Sequence, residues 1–227
     1  MIIIEDSSWI FEEGFPSAIP VSIVQKLGRE AEITAYPETE TIACEYEKLF
    51  KDDYFSDAAV AWLAEKITPV MAEKGYRPDK FTDRWLCDYE AVSANDINKA
   101  AILPNTVKVI SPKKEKLKNG TTYPFDFECE DDDAYFCSVE AKKIVSVASI
   151  NMYSEESKIR EIAIETSLRR RNKGFAVSNV AALALYLIGL GYTVRYSCQR
   201  HNIASQKTAI RAGFSLIGKS HFCNYYA

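Results

Sequence analysis

The segment from Arg160 to Phe214 constrains this chain most, because its local signals come in an order that few folds accommodate. An extended run, Arg160 to Thr166, ends in Ile162-Ala163-Ile164-Glu165-Thr166 and leads into a basic turn containing Arg169, Arg170, Arg171 and Lys173. A helix of roughly Lys173 to Leu190 follows, closed by Gly189 and Gly191. Thr193 to Ser197 is extended again, Ala204 to Ala212 is a further helix ending at Gly213, and Phe214 to Phe222 reads as a closing strand. The longest apolar run, Val180 to Leu190, falls far short of the ~20 residues a bilayer-spanning helix needs, so it is read as a core helix and no membrane is expected.

The turn itself carries chemistry. Arg171-Asn172-Lys173-Gly174-Phe175-Ala176 follows a strand and opens a helix, where unpaired backbone N–H groups and the helix dipole favour an anion. Gly174 lets the backbone approach a ligand closely, and the surrounding cations suit a pyrophosphate with a further phosphate better than a neutral molecule. The bland alternative is a solvated basic loop. Neither the G-x-x-x-x-G-K-[ST] pattern nor a strand followed by G-x-G-x-x-G occurs, which ranks a nucleotide lowest among phosphate-bearing ligands.

The order strand, R-x-x-G-x-A, long helix, strand, Asn202-Ile203-Ala204-Ser205, helix, Gly213-Phe214 resembles the GNAT superfamily of N-acetyltransferases, over about the last 85 to 125 residues by domain-size reasoning. The resemblance implies an α+β fold with a mixed, largely antiparallel sheet flanked by helices. It also implies that the sheet splays between the strand before the phosphate loop and the strand after the helix. The pantetheine arm of acetyl-CoA, the expected co-substrate, would lie in that gap and pair with the strand edge around Ile164 and Thr166. Backbone amides from Asn172 through Lys173, Gly174, Phe175 and Ala176 would hold the pyrophosphate with the Arg171 side chain. Arg169 or Arg170 would meet the ribose phosphate, and Asn202 and Ser205 would border the arm.

The implied reaction is attack of an amine on the thioester carbonyl. An unperturbed lysine-like amine, pKa ~10.4, is protonated at neutral pH, so a base, a water chain or a desolvated pocket is required. Many superfamily members place a glutamate near the start of the strand, but the spacing here gives Arg160; Glu161 and Glu165 are the candidate bases, with a structural carboxylate as the alternative reading of each. Where many members carry a proton-donating tyrosine, this chain has Ala209, leaving Tyr196, Tyr225 or Tyr226 as substitutes. The rival reading is a catalytically degenerate module that binds acyl-CoA for regulation.

Outside that core, Ile42, Tyr46, Leu49 and Phe50 share a helical face, and Ala59, Leu63, Ile67, Val70 and Met71 form a longer stripe capped by Ser56 and stopped by Gly75 and Pro78. Residues 1–100 are thus expected to be mainly helical, packing on the acceptor side, with residues 101–227 as the acyl-CoA-binding domain. From Val107 the pattern turns to strands, Ala134 to Val139 and Ile144 to Ile150 among them, around a lysine-rich loop broken by Pro112 and Asn119-Gly120.

A net charge of -4 excludes a generic nucleic-acid binder and makes a cationic amine an easier acceptor. The run Glu128-Cys129-Glu130-Asp131-Asp132-Asp133 is read first as a solvated turn. None of the six cysteines shows C-x-x-C spacing, so free, mostly buried thiols and no metal site are expected, with His201 and His221 structural. Met1 to Phe11 has no basic n-region, which points to a cytoplasmic protein. The strand edges and the aromatic tail from His221 to Tyr226 are compatible with a homodimer.

Overall fold

A computed structural model describes residues 1–12, 14–80, 82–110, 134–154 and 157–227. The lysine-rich loop, Cys129 and the acidic run before Ala134 lie outside these residues. In chain order the elements are β1 (Ile2–Ile4), α1 (Ser8–Glu12), β2 (Ser17–Ala18), β3 (Val21–Lys26), β4 (Glu32–Ala35), α2 (Glu40–Phe50), α3 (Asp57–Glu73) and β5 (Arg77–Pro78). Then follow β6 (Leu86–Ala91), β7 (Thr106–Ile110), β8 (Ala134–Glu140), β9 (Lys143–Ser154), β10 (Ile159–Thr166) and α4 (Phe175–Gly189). The chain closes with β11 (Thr193–Gln199), α5 (Ile203–Ala212), β12 (Ser215–Phe222) and β13 (Tyr225–Tyr226). Among the described residues no helix is long and apolar enough to cross a membrane.

Two compact units result. The first comprises Met1–Cys87, Gln199–His201 and Ile217–Ala227; the second comprises Asp88–Cys198 and Asn202–Leu216. This differs from a linear division near residue 100, because the last strands return to the N-terminal part.

In the first unit β4 lies between β1, parallel, and β3, antiparallel, and β3 in turn pairs antiparallel with β12. Strands β3 and β4 stand beside the helices expected in this region. Their signal was present: Val21 and Ile23, then Ile33 and Ala35, are fully buried and alternate with less buried neighbours around a turn at Gly28, whose φ is +71°. Helices α2 and α3 lie where the stripes placed them. Ser56 Oγ accepts from Ala59 N at 3.2 Å as the N-cap of α3, and Gly75 adopts φ +88° just past its end. Leu63, Ile67 and Met71 are buried as expected, but Leu49 is 55% exposed; Ala43 and Tyr46 form the buried face of α2 instead.

His221 sits in the core of this unit, with Nε2 donating to the Thr82 carbonyl at 2.7 Å and Nδ1 buried without a partner among the described residues. Burial pushes its pKa below the ordinary imidazole value of 6.5, opposed by the Thr82 hydrogen bond and the charge of Asp83. Below that value the unfolded chain takes up the proton first, so stability is fully present above pH ~6.5 and falls as the pH drops toward the lowered native pKa. The expected slope is at most about 1.4 kcal/mol per pH unit. Urea unfolding at pH 7.5, 6.0 and 5.0 should show this loss, and His221→Gln should flatten it. An equal slope in the variant would assign the acid sensitivity to other groups.

The second unit orders its strands β6-β11-β10-β9-β8-β7. Helix α4 packs on β8, β9 and β10. Its Val180, Leu183 and Leu187 are buried, contributing roughly 1.5–3 kcal/mol apiece. Polar residues pin its first turns: Ser178 Oγ accepts from Leu103 N at 2.7 Å, and Asn179 Oδ1 accepts from Ser138 Oγ at 2.9 Å. These bonds fix the rotation of α4, and with it where its N-terminal amides point. Cys87, Cys137, Cys198 and Cys223 are buried, and Cys44 is exposed.

Candidate functional site: an opened strand pair at a helix N-terminus

Strands β10 and β11 start as parallel partners and then part. Their register runs Ile159↔Thr193, Arg160↔Val194 and Glu161↔Arg195 and goes no further, although β10 continues to Thr166 and β11 to Gln199. On its other side β10 stays paired with β9 as far as Thr166↔Ser146. The β9–β10 register shifts between Glu161 and Ile162, where β9 holds an extra residue, so the irregularity falls where the strands diverge. The edge of β10 from Ile162 to Thr166 is left open toward β11.

The chain leaving this edge builds the loop. Ser167 N donates to Val145 O at 2.9 Å and Arg170 N to Ser167 O at 2.8 Å, closing a short 3-10 turn over Leu168–Arg170. Arg171 is extended, Asn172 has φ +64°, and Gly174 has φ +85° at the N-cap of α4. Ser178 N donates to Gly174 O at 3.0 Å, so the amides of Phe175, Ala176 and Val177 precede the first intrahelical bond. They are the orphan donors of this terminus. A methyl at Gly174 would meet only Leu103 Cδ1, at 3.9 Å; the backbone conformation, rather than crowding, calls for glycine.

The open strand edge, the loop and α5 enclose a cleft of about 340 Å³. Ile164, Thr166, Arg171, Asn172, Lys173, Gly174, Phe175, Ala176, Asn202 and Ser205 line it. Arg169 does not; Arg170 takes that place. Adjacent residues of a 3-10 turn point in different directions, and sequence has no means of choosing between them. Arg171, Arg170, Lys173, Lys207 and Arg211 line the cleft and no carboxylate does, which gives it a positive field. Behind the loop, Glu140 holds Arg170 Nε at 3.0 Å and Lys173 Nζ at 3.8 Å. Arg171 Nε donates to the Thr166 carbonyl at 3.4 Å.

Residues singled out for the far wall have structural work as well. Asn202 Oδ1 accepts from Ser205 N at 3.1 Å, making Asn202 the N-cap of α5. Ser205 Oγ lies 2.5 Å from the Tyr196 hydroxyl, and both line the cleft. Tyr196 is the first residue of β11 past the end of the parallel pairing. Burial pushes its phenol up to about 12, against the lowering effect of the Ser205 hydrogen bond, so at neutral pH it is a protonated donor. Tyr225 and Tyr226 belong to the first unit, where Tyr225 Oη pairs with Thr68 Oγ1 at 3.0 Å.

The two carboxylates considered as bases do not line the cleft. Glu165 is exposed, and Glu161 is half-buried and accepts from Ser197 Oγ at 3.4 Å. Arg160 is buried, stacked 4.0 Å over the Tyr192 ring, with Nη1 donating to Ile159 O at 3.2 Å. Sequence reasoning also passed over Lys207, Thr208 and Arg211. With Ala204 they fall at i, i+3, i+4 and i+7 of α5, a stripe legible in the sequence once one face is known to meet a ligand cleft.

No family model matches this chain, and no curated protein does. Solved structures do, and the likeness is one of fold: the chain has the GNAT fold. A GCN5-related N-acetyltransferase-like protein from Streptococcus suis 89/1591 aligns over 97% of this chain and 95% of its own, at 15% identity and a TM-score of 0.53. An acetyltransferase of the GNAT family from Colwellia psychrerythraea aligns over 63% of this chain at 15% identity and a TM-score of 0.46, and the match spans 56% of that protein. Microcin C7 self immunity acetyltransferase MccE, solved with acetyl-CoA and AMP, aligns over 41% of this chain and 60% of its own, at 18% identity and a TM-score of 0.34.

Proposed function

We propose that this protein is an acyl-CoA-dependent N-acyltransferase that moves an acetyl group from acetyl-CoA to an amine-bearing acceptor, for which a cationic small molecule is the favoured class. The observation that carries the reading is the parting of β10 from β11 directly before a helix N-terminus lined by cations. An open strand edge offers backbone groups to the amides of a pantetheine arm, and the terminus offers N–H groups and positive potential to a pyrophosphate. In the reaction the amine nitrogen bonds to the thioester carbon, the carbon–sulfur bond breaks, and sulfur leaves with the electron pair. The nitrogen gives up its proton to a base. Positioning supplies much of such a rate enhancement.

Within this reading the amide near Ile164 polarises the carbonyl, and Tyr196 with Ser205 supplies a neutral hydrogen-bond donor toward the leaving sulfur. Arg169 stands outside the cleft lining and is assigned a long-range electrostatic part. Glu161 and Glu165 accept the proton through water, since neither lines the cleft. The buried Ala209, without a phenol, favours a second reading in which the site binds acyl-CoA without turnover.

Calorimetric titration with acetyl-CoA, followed by thiol release across a panel of amines, tests the proposal. Saturable binding weakened roughly tenfold or more by Arg171→Ala is expected, on the scale of one charge-assisted phosphate contact. Turnover should slow in Tyr196→Phe with binding retained, and the acid limb of the pH–rate profile should shift in whichever of Glu161→Gln and Glu165→Gln removes the base. Binding without thiol release for any amine would leave the non-catalytic reading, and no binding would overturn both.

A further inference from the structure

The first unit holds a cavity of its own, of about 640 Å³, between the β3–β4 turn and the C-terminal end of α2. The turn forms because Gly28 takes φ +71° and Arg29 N donates to Lys26 O at 3.0 Å, which carries Arg29 to the cavity wall. Lys48 and Lys51 reach the same space from α2, three residues apart and so on one side of the helix. All three cations are exposed and make no ion pair among the described residues. Lysines at a helix C-terminus suit its dipole, which accounts for Lys48 and Lys51 taken alone. It accounts neither for Arg29, which comes from a different element, nor for Tyr54.

Tyr54 is only 8% exposed and lines the cavity, and its hydroxyl has no hydrogen-bond partner among the described residues. The hydroxyl oxygen is not sealed within the protein, so it faces the open space. Its ring is held in place: it stacks on Tyr46 with centroids 5.9 Å apart, and the Tyr54 carbonyl accepts from the Tyr46 hydroxyl. Burial, then the charges of Glu47, Glu30 and Asp52, raises its pKa above the ordinary value of 10.0, so the phenol is a neutral donor. A buried donor with nothing to donate to costs stability unless a polar group occupies the space. Water can meet one such donor, but it does not call for three unpaired cations beside it.

The carboxylates of the wall decide what else a ligand carries. Glu47 lies 3.4 Å from the Met1 amine and is neutralised by it, whereas Glu30 is exposed and makes no ion pair among the described residues. We propose that this cavity binds a small phosphate monoester whose remainder bears hydroxyl or ammonium donors, with the phosphate set against Arg29, Lys48 and the Tyr54 hydroxyl and the donors toward Glu30. A monoester carries about −1.5 to −2 at neutral pH, so it answers several cations at once where a single carboxylate does not. Arg29 offers a planar fork of donors and Lys48 a mobile point charge. The volume leaves room beyond the phosphate for the rest of a small metabolite. This site goes beyond the acyl-transfer reading and does not depend on it.

The experiment is calorimetric titration of the full chain with glycerol 3-phosphate, inorganic phosphate and, as the carboxylate comparison, glycerate, all at one ionic strength. Glycerol 3-phosphate should bind saturably with a Kd below roughly 1 mM, about threefold or more tighter than inorganic phosphate and about tenfold or more tighter than glycerate. Arg29→Ala/Lys48→Ala should weaken it roughly tenfold or more; both positions are exposed, and an unchanged Tm checks that the variant is folded. Tyr54→Phe keeps the stacked ring, removes the donor, and should cost roughly three- to tenfold. Arg171→Ala, in the cleft of the second unit, should leave the affinity unchanged. No saturable binding of any of the three below about 10 mM overturns the site. Binding lost in Arg171→Ala but kept in Arg29→Ala/Lys48→Ala also overturns it, by placing the phosphate in the cleft. Glycerate bound as tightly as glycerol 3-phosphate overturns the ligand class.

Discussion

Gly174→Asp should show no saturable acetyl-CoA binding, an affinity loss of at least roughly a hundredfold, in a protein that remains folded. Two effects compete at this position, and their magnitudes decide the outcome. The backbone at φ +85° strains any L residue, but aspartate tolerates the left-handed region better than most, at a cost near 1 kcal/mol. Against that, its negative charge suits a helix N-terminus. Fold stability therefore changes little. Binding does not survive, because the carboxylate sets a negative charge beside the amides of Phe175, Ala176 and Val177, where the proposed pyrophosphate must approach, and repels it. Gly174→Ala separates the two effects. It brings at least as much strain and no charge, its Cβ meets only Leu103 Cδ1 at 3.9 Å, and its loss of affinity should be far smaller. Titration of both variants checks the prediction; near-native affinity in a folded Gly174→Asp would remove the phosphate site from α4.

Gly213→Ala should be the most destabilising glycine-to-alanine change among the described residues of the second unit. The added Cβ would lie 2.0 Å from the Asp96 carbonyl oxygen, 2.8 Å from Ile97 Cα and 2.9 Å from Asn98 N, at a φ of +108°. All three are backbone atoms, so no side chain can rotate away. The facing segment is tied down: Asn98 N donates to Ala212 O and Asn98 Nδ2 to Arg211 O, each at 3.0 Å, and the Asp96 carboxylate accepts from Val92 N and Ser93 N. Left-handed strain of about 1–2 kcal/mol adds to an overpacking cost of about 1–3 kcal/mol, giving roughly 2–5 kcal/mol. For a chain of this length that lowers Tm by about 5–15 °C, measurable by calorimetry. A Tm within about 2 °C of wild type would show that the loop can yield at little cost. Because α5 carries Asn202, Ser205, Lys207 and Arg211, a displaced C-terminus should also weaken coenzyme A binding.

What the sequence revealed and what it hid divide along the range of the interactions. The helix expected over roughly 173–190 lies at 175–189, legible because a glycine, a basic turn and an apolar run are local, and the strands expected at 134–139, 144–150 and 160–166 fall within β8, β9 and β10, with β9 running on to Ser154. The β3–β4 hairpin was equally local but short and flanked by helical stripes, so its alternation was passed over. Leu49 shows the limit of periodicity: it lies within the expected arc of α2, yet Ala43 and Tyr46 are what the helix buries. Ile164, Thr166 and the loop from Arg171 to Ala176 were placed by the resemblance that the order of elements carries, with the charge of the loop agreeing, and all of them line the cleft.

By itself, then, the sequence determined where a basic turn opens a helix, which strand precedes it, and that Asn202 begins the next helix, since capping, turn chemistry and apolar period act over a few residues. Only the tertiary structure decided that β10 and β11 part after Glu161 and Arg195, that Arg170 rather than Arg169 faces the cleft, that Glu161 and Glu165 do not line it, and that Lys207 and Arg211 join it. Those outcomes depend on strand register and on side-chain direction across elements distant in the chain, and neither is encoded in the identity or spacing of neighbouring residues.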